Sequence, residues 1–453
     1  MADKNGKEGY DSGGIPSGAM RRSMKLASLP MSFAGRAALG WGQKVTGRDA
    51  DEVAMTMLER NAEQLFAVLG ELKGGAMKLG QALSVYESMI PAEFAEPYQR
   101  ALTQLQSQGP ALPTATVRRV LDQQLGRNWT SHFQDFSDAP AAAASIGQVH
   151  RGIWQDGREV AVKIQYPGAD LALQADLKQL QRMARLFNLV VPGLDAHALI
   201  SEIRERMLEE LDYRAEADHQ RAFHAEFADS DVINVPAVVA SAPKVIISEW
   251  IDGTPLSRLI REPKLPEGEA ERDRIAAITL ELLYSSPARV GLLHADPHPG
   301  NFLIQPDGRI GVIDFGAVAV LPDGLPTVLG EITRYAANND PDELIALLRK
   351  ERFVTGDVPP ADVLRWLGGL VDPVREEKFH FHRAWLSRQG ERVVNPYSNA
   401  YLKTGRALNL PAEHMLVLRV TGGWTNILAQ LDCTVAAREI ALRWVPGFAE
   451  PSA

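Results

Sequence analysis

Two short motifs in the middle of the chain carry carboxylate, amide and imidazole groups in an order typical of phosphoryl transfer. The first reads His-Ala-Asp-Pro-His-Pro-Gly-Asn and ends at Asn301, and Asp-Phe-Gly begins thirteen residues later at Asp314. In kinase-type sites, the aspartate of the first motif accepts or orients the substrate proton, while the asparagine and the second aspartate hold Mg²⁺. The spacing therefore predicts a metal site at Asn301 and Asp314, with Asp296 as the base-like residue.

The stretch between the motifs predicts how the metal ligands meet. Phe302 to Ile304 and Ile310 to Ile313 are apolar runs, separated by the strong turn sequence Gln-Pro-Asp-Gly-Arg. A β-hairpin brings its outer ends together, so we expect Asn301 and Asp314 to be neighbours. A simple turn cap and strand end would explain neither the order of the two motifs nor their separation.

A lysine-bearing strand is predicted upstream of these motifs. Residues Glu159 to Ile164 alternate so that the valines are buried while Lys163 faces the other way, toward the phosphates. An Asp-Gly turn at Gly157 predicts a hairpin with the preceding stretch, Ile146 to Trp154. Val-Ala-Val-Lys alone is a weak signal, and its position ahead of the two catalytic motifs is what supports it.

A carboxylate partner for the lysine is offered by the charged stretch from His197 to Phe227, which predicts a helix. At about 100° per residue, Asp212 and Glu216 share one face, and Glu210 points about a third of a turn away from Glu216. Spacing alone does not choose between Asp212 and Glu216. A solvated acidic face is the alternative interpretation.

An alanine-rich turn occupies the place of a glycine-rich loop. Pro140 is followed by four alanines and a serine before Ile146. Alanine methyls restrict positive φ and the close approach of backbone amides to phosphate, so this turn should hold a nucleotide differently from a glycine loop. Without its context, the alanine run favours a helix. The predicted nucleotide-binding residues here are Ala142, Ala143, Ala144 and Ser145.

Taken together, these motifs resemble the UbiB (AarF) family of atypical protein-kinase-like proteins. The resemblance includes Glu-Leu-Asp at 210–212 and extends upstream to Lys78-Leu79-Gly80-Gln81, which is similar to the Lys-x-Gly-Gln signature of that family's N-terminal extension. Ordinary kinases lack this signature. By motif, the resemblance covers roughly residues 50 to 330.

The resemblance implies an α+β fold of the bilobal protein-kinase type, with a small β-rich lobe, a large helical lobe and an N-terminal helical extension packed over the active site. Residues 1–45 would form a disordered tail with an amphipathic segment, and 46–112 the helical extension. Residues 113–252 would form the small lobe with inserted helices, and 253–453 the large lobe with both catalytic motifs.

The family's functional residues can be carried over by motif. Lys163 would contact the nucleotide phosphates and pair with Glu216, and hinge backbone groups from Glu249 to Ile251 would meet the adenine. The extension would lie across the cleft where protein kinases admit peptides. The residues that gate the cleft would be Lys78, Gln81, Glu210 and Asp212.

The implied activity is that of an atypical kinase or ATPase that binds ATP or ADP with Mg²⁺ and supports isoprenoid-quinone or other prenyl-lipid metabolism. Ala295 replaces the arginine of regulated protein kinases and no Ala-Pro-Glu follows, so activation by loop phosphorylation is not expected. A small-molecule phosphotransferase of the aminoglycoside or choline kinase type is one alternative. The other is a non-enzymatic nucleotide-dependent switch for a biosynthetic complex.

Composition limits the partners. A net charge of −9 argues against nucleic acid, and a single cysteine, Cys433, excludes an intrachain disulfide or a cysteine-cluster metal site. Neither a signal peptide nor an uncharged apolar run of spanning length is found, so we expect a cytoplasmic chain. Its basic segment 20–41 would either touch the inner membrane face or pack against the extension. A lipid-like or quinone-pathway molecule and a second copy of the chain are the other expected partners.

Overall fold

A computed structural model describes residues 111–144, 146–169, 211–262, 268–354, 356–394, 404, 407–409 and 411–450. The predictions for Lys78, Gln81, Glu210, Ser145 and the segment 20–41 lie outside these residues. The chain divides into two compact units. Among the described residues, the first unit holds those up to Arg158 and from Val162 to Leu211, and the second holds Glu159–Ala161 and everything from Asp212 onward.

The first unit is built on a helix and a sheet. Its elements are α1 (Thr114–Leu125), a short 3₁₀ turn (Trp129–His132), β1 (Phe133–Ala144), β2 (Gly147–Trp154) and the part of β3 (Glu159–Gln165) from Val162 onward. Strand β2 lies between β1 and β3. The predicted Asp-Gly turn is confirmed, because Gly157 adopts φ +90° and its N–H donates to the Trp154 carbonyl at 2.9 Å. Buried Val160, Val162 and Ile164 alternate with half-buried Lys163, as predicted.

The alanine run is neither a turn nor a helix. Ala142, Ala143 and Ala144 form the end of β1 and lie opposite Val149, Gln148 and Gly147 of β2. Pairing with β2 satisfies the backbone of this segment, and this tertiary pairing overrides the helix propensity of alanine. Two register shifts around Pro140 mark where the ladder is interrupted, since proline cannot donate a hydrogen bond.

A chain of buried polar groups crosses the first unit. The Leu112 N–H donates to Gln148 Oε1 at 2.9 Å, Gln148 Nε2 donates to His150 Nε2 at 2.7 Å, and His150 Nδ1 donates to the Ser137 carbonyl at 2.8 Å. Because a carbonyl only accepts, the His150 proton lies on Nδ1 and Nε2 is the acceptor. A second proton on the ring would set two donors face to face.

We expect acid to destabilise the folded chain through this ring. Burial lowers the pKa of His150, against the opposing effects of the Ser137 carbonyl and Asp138. The unfolded chain takes up the proton near pH 6.5, whereas the folded chain takes it up only at lower pH. The stability that the neutral ring contributes is therefore complete above about pH 6.5 and is lost as the pH falls toward the folded pKa. Thermal unfolding at pH 7.5 and 5.5 measures the loss.

The control for this effect is His150→Phe, which removes the titrating ring but keeps an aromatic side chain. It should lower the melting temperature at pH 7.5, because Gln148 loses a buried acceptor. The decrease between pH 7.5 and 5.5 should be smaller than in the wild type. Equal decreases in the two proteins would show that His150 does not carry the pH dependence.

The second unit combines small sheets with helices. Its strands are β4 (Ile233–Asn234), β5 (Val238–Ala242), β6 (Val245–Glu249), β7 (Thr254–Pro255), β8 (Leu292–His294), β9 (Phe302–Ile304), β10 (Ile310–Val312), β11 (Val318–Val320), β12 (Phe379–Phe381) and β13 (Cys433–Val435). Its helices are α2 (Tyr213–Phe227), α3 (Leu256–Arg261), α4 (Gly268–Val290), α5 (Thr327–Asn338), α6 (Pro341–Lys350), α7 (Pro360–Arg375), α8 (Arg383–Val394), α9 (Ala412–Leu431) and α10 (Ala437–Trp444).

Short sheets organise the centre of this unit. Strands β4, β10, β9 and β7 form one sheet in that order, β11 pairs with β8, and β12 pairs with β13. Their apolar residues pack with α4 and α9 into a single core that contains Phe302, Phe315 and Trp424. Cys433 is buried and lies in strand β13. No helix in the described parts of the chain has the length and apolar character needed to cross a bilayer.

Within the described residues, the charged stretch is not helical from its first residue onward. Residues Leu211 and Asp212 are not helical, and α2 starts at Tyr213. The Asp212 carboxylate accepts a hydrogen bond from the Arg214 N–H at 3.0 Å and so caps the helix. Asp212 therefore does not share a helical face with Glu216. Glu216 lies in the first turn of α2 and is only 4% exposed.

Candidate active site

The predicted hairpin between the two motifs is confirmed. Strands β9 and β10 pair antiparallel, with Phe302 opposite Val312 and Ile304 opposite Ile310. Just beyond the paired residues, the Ile313 N–H donates to the Asn301 carbonyl at 3.1 Å. This hydrogen bond brings the backbone of Asn301 beside the residue that precedes Asp314.

The catalytic-loop residues are fixed by local hydrogen bonds. Asp296 follows β8, and its carboxylate accepts from Asn301 Nδ2 at 3.0 Å. The His298 N–H donates to the Asp296 carbonyl at 2.8 Å, and the His298 ring accepts from the Gly300 N–H at 3.2 Å. Because the amide nitrogen of Asn301 is directed at Asp296, the amide oxygen is the atom that Asn301 can offer to a cation.

Asp314 is held through its own carbonyl and through the N–H of Gly316, two residues further along the chain. The Gly316 N–H donates to Asp314 Oδ1 at 3.0 Å, and the buried His294 donates from Nε2 to the Asp314 carbonyl at 2.7 Å. Strand pairing continues this connection, because Val318 of β11 lies opposite His294 of β8. Both motifs are thus tied to one small sheet.

Aromatic packing keeps the Asp-Phe-Gly segment on helix α2. Phe315 is fully buried, its ring centre 5.1 Å from that of Phe223 and 5.6 Å from the His294 ring in an edge-on arrangement. The buried residues of α2 on this side recur at helical spacing, and they are Glu216, Gln220, Phe223 and Phe227. Glu216 therefore belongs to the helix face that packs against the site.

An apolar surface adjoins the two metal-ligand candidates. Leu303 lies opposite Gly311 in the hairpin, and a methyl group added to Gly311 would come within 2.5 Å of Ile251 Cδ1. Ile313 is 39% exposed although it is large and apolar. Leu303 and Ile313 are not among the residues predicted from the sequence. Alternation along the hairpin indicates them, because buried Phe302 and Val312 place their neighbours on the opposite face.

The hinge backbone is partly committed to the sheet. The Glu249 N–H donates to the Ala237 carbonyl at 2.9 Å, and the Trp250 N–H donates to the Glu159 carbonyl at 2.9 Å. Ile251 donates no backbone hydrogen bond to any residue that the structure describes. Within the predicted hinge, Ile251 is thus the residue whose N–H could donate a hydrogen bond to a ligand.

The side-chain oxygens of Asn301 and Asp314 are of the type that Mg²⁺ binds in proteins. Across the described parts of the chain, no cluster of three or more His, Cys, Asp or Glu side chains could hold a metal by itself. One amide oxygen and one carboxylate are hard donors, and Mg²⁺ commonly uses one or two protein oxygens, with phosphates and water as its other ligands. The donor set is therefore suited to a metal that arrives with a nucleotide.

Comparison with known proteins identifies the family. The model of the ABC1 atypical kinase-like domain matches residues 104–348, more than half of the 453-residue chain. The chain belongs to the ABC1 atypical kinase-like family. This confirms the resemblance to UbiB (AarF) proteins and the α+β kinase-like fold predicted from the motifs.

Curated relatives of this chain include a mammalian and a plant protein. The rat atypical kinase COQ8B, mitochondrial, is 30% identical over 66% of the chain and 56% of its own length. The Arabidopsis thaliana protein ACTIVITY OF BC1 COMPLEX KINASE 1, chloroplastic, is 30% identical over 71% of the chain and 47% of its own length. The chain thus spans about half the length of these relatives.

A solved structure covers more of the ABC1 chain. A Mycobacterium tuberculosis protein, Rv3197, determined in complex with erythromycin, is 47% identical and superposes with a TM-score of 0.67. The match covers 89% of this chain and all of that chain.

The structure brings together only some of the residues predicted for the ABC1 site. Asp296, Asn301, Asp314, Glu216 and the hinge residues lie in the second unit. Lys163 and the three described alanines of β1 belong to the first unit, so their part in the site stays a prediction. The same holds for the gating residues Lys78, Gln81 and Glu210, which lie outside the described residues, and for Asp212, which caps α2.

We expect His294→Leu to lower the free energy of unfolding by about 1–3 kcal/mol, the cost of leaving a buried polar group without its partner. The lost donor serves the Asp314 carbonyl, and the imidazole is 2% exposed. Chemical denaturation followed by circular dichroism measures the change. In the control His380→Leu, an exposed imidazole 3.1 Å from Asp432 is removed, and the loss should stay below about 1 kcal/mol. Equal losses would contradict a special role for His294.

Proposed function

We propose that this ABC1 chain binds ATP or ADP with Mg²⁺ and catalyses phosphoryl transfer or ATP hydrolysis. The observation that carries the proposal is the hydrogen bond from Asn301 to Asp296, together with the backbone contact that sets Asn301 beside the Asp-Phe-Gly segment. In this proposal, the Asp296 carboxylate would take part in proton transfer, and the Asn301 amide oxygen and the Asp314 carboxylate would bind a cation.

Each candidate site residue in the second unit has a distinct role in this proposal. Asn301 and Asp314 would hold Mg²⁺, which neutralises developing charge on the phosphates when bound. Asp296 would orient the attacking hydroxyl or water and accept its proton, held in place by the Asn301 amide. The adenine would lie over Leu303 and Ile313, with the Ile251 N–H as a donor to its ring.

The acceptor that we propose is a small or lipid-like molecule rather than a protein. The support is the Lys-x-Gly-Gln segment, which in the UbiB family lies across the cleft where peptides bind. We further propose a role in isoprenoid-quinone or other prenyl-lipid metabolism, with peripheral contact at a membrane surface. Lys163 as a phosphate contact and Glu216 as its partner stay predictions that rest on the family pattern.

The first test is Asp314→Asn in the full-length chain. We expect it to abolish Mg²⁺-dependent stabilisation by ADP and to reduce ATP turnover roughly 10²-fold or more, because a charged group that stabilises the reacting phosphates is lost. Differential scanning fluorimetry and a phosphate-release assay, with and without prenyl-lipid vesicles, measure the two effects.

The control is Asp307→Asn, in the exposed turn of the same hairpin, where the carboxylate pairs with Arg309. It should behave as wild type. Nucleotide binding without turnover under every condition would favour the nucleotide-switch alternative. Mg²⁺-dependent binding that survives Asp314→Asn would refute the metal assignment.

Gly311→Ala tests the adenine surface. The added methyl would press on Ile251 Cδ1 and displace the side chain of this hinge residue. We expect ADP to bind about tenfold more weakly, with its Mg²⁺ dependence intact. Gly422→Ala is the control, since its added methyl meets no atom within 4 Å. Isothermal titration should show wild-type affinity for that variant, and an unchanged affinity in Gly311→Ala would place the adenine elsewhere.

Macrolide binding is a second candidate, favoured by the 47% identity to the Mycobacterium tuberculosis protein solved with erythromycin. In this proposal, the chain accommodates a bulky, largely apolar small molecule. Titration with erythromycin, with and without Mg²⁺ and ADP, tests it. Absence of binding at millimolar concentration would leave nucleotide chemistry as the sole proposal.

A further inference from the structure

Two imidazoles hold consecutive carbonyl groups of the Asp-Phe-Gly segment. His294 donates from Nε2 to the Asp314 carbonyl at 2.7 Å, and His219 donates from Nδ1 to the Phe315 carbonyl at 3.4 Å. The first imidazole comes from strand β8 and the second from helix α2. Only the second therefore connects this segment to the helix that carries Glu216.

The His219 contact reaches the Asp314 carboxylate through one peptide group. The carbonyl of Phe315 and the N–H of Gly316 belong to the same planar unit, so fixing one direction fixes the other. That N–H donates to Asp314 Oδ1 at 3.0 Å. A continuous chain thus runs from the imidazole through the peptide to the carboxylate, and hydrogen bonds in such chains strengthen one another.

The ring of Phe315 adds a second connection to the same helix. Phe223 lies four residues after His219, so the two side chains share one side of α2. The Phe223 ring packs 5.1 Å from the Phe315 ring, while His219 holds the Phe315 carbonyl. Contacts on both the ring and the backbone of Phe315 leave this residue little freedom to rotate relative to α2.

We propose that His219 is a positioning residue that couples helix α2 to the orientation of Asp314 and thereby sets the affinity for Mg²⁺. The inference rests on the proposed function, because it assumes that Asp314 is a metal ligand. Without the His219 donor, the peptide between Phe315 and Gly316 can turn, and the Gly316 N–H then no longer orients the carboxylate. Groups that orient a metal ligand in this way typically change metal affinity by 10- to 100-fold when they are removed.

Helix α2 offers a matched control. His224 donates from Nδ1 to the Val235 carbonyl at 2.7 Å, which is the same kind of hydrogen bond from the same helix. The residue after Val235 is Pro236, so that peptide has no N–H to pass the contact onward. Loss of the His224 contact should therefore affect stability alone.

The experiment compares His219→Leu, His219→Asn and His224→Leu in the full-length chain, with ADP binding titrated against Mg²⁺. We expect His219→Leu to raise the Mg²⁺ concentration needed for half-maximal binding about tenfold. Asn should restore it to within about twofold, because its Nδ2 lies at the same bond distance from the backbone as the histidine Nδ1. His224→Leu should lower the melting temperature and leave the Mg²⁺ dependence unchanged.

Two results would overturn the proposal. One is a wild-type Mg²⁺ dependence in His219→Leu, and the other is a folded His219→Asn that is as impaired as the leucine variant. Should His219→Leu not fold, His219→Ala replaces it in the same comparison. Asp314→Asn, run in parallel, distinguishes failure of this proposal from failure of the proposed function. If ADP binding keeps its Mg²⁺ dependence in that variant, Asp314 is not a metal ligand and the proposed function itself fails.

Discussion

The hydrogen bonds that close the β9–β10 hairpin are the constraint on which the candidate site depends. They bring Asn301 and the residue before Asp314 into backbone contact although eleven residues separate Asn301 from Ile313. A loop of this length would keep the two ends together only at a considerable entropic cost. The turn and the ladder of the hairpin offset that cost and keep the backbone of Asn301 beside that of Ile313.

Burial holds the hairpin in its place. The ring of Phe302 lies 4.8 Å from that of Trp424, and Phe315 is packed between Phe223 and His294. Fully burying such side chains contributes about 1.5–3 kcal/mol each. Phe302 and Phe315 directly follow Asn301 and Asp314 in the chain, so the burial of these two rings anchors the backbone next to both candidate residues.

The sequence was most informative where function and local geometry coincide. The hairpin, the lysine strand and the Asp-Gly turn were predictable because their patterns are short and their turn residues specific. The alanine run was not, since its conformation depends on strand β2 rather than on its own propensity. The start of α2 was also missed, because Asp212 fits a helix by charge pattern but caps it in the structure. Pairing and capping of this kind depend on neighbours that a periodicity does not show.

Around Asp314, side chains from two different elements act on the site through backbone groups. Asp314 is oriented by a peptide N–H, that peptide is held by an imidazole, and the neighbouring carbonyl is held by another. Peptide groups are planar and carry a donor and an acceptor in fixed relation, so a contact on one side is transmitted to the other. The His219 contact thus reaches the Asp314 carboxylate from helix α2 through a single peptide group.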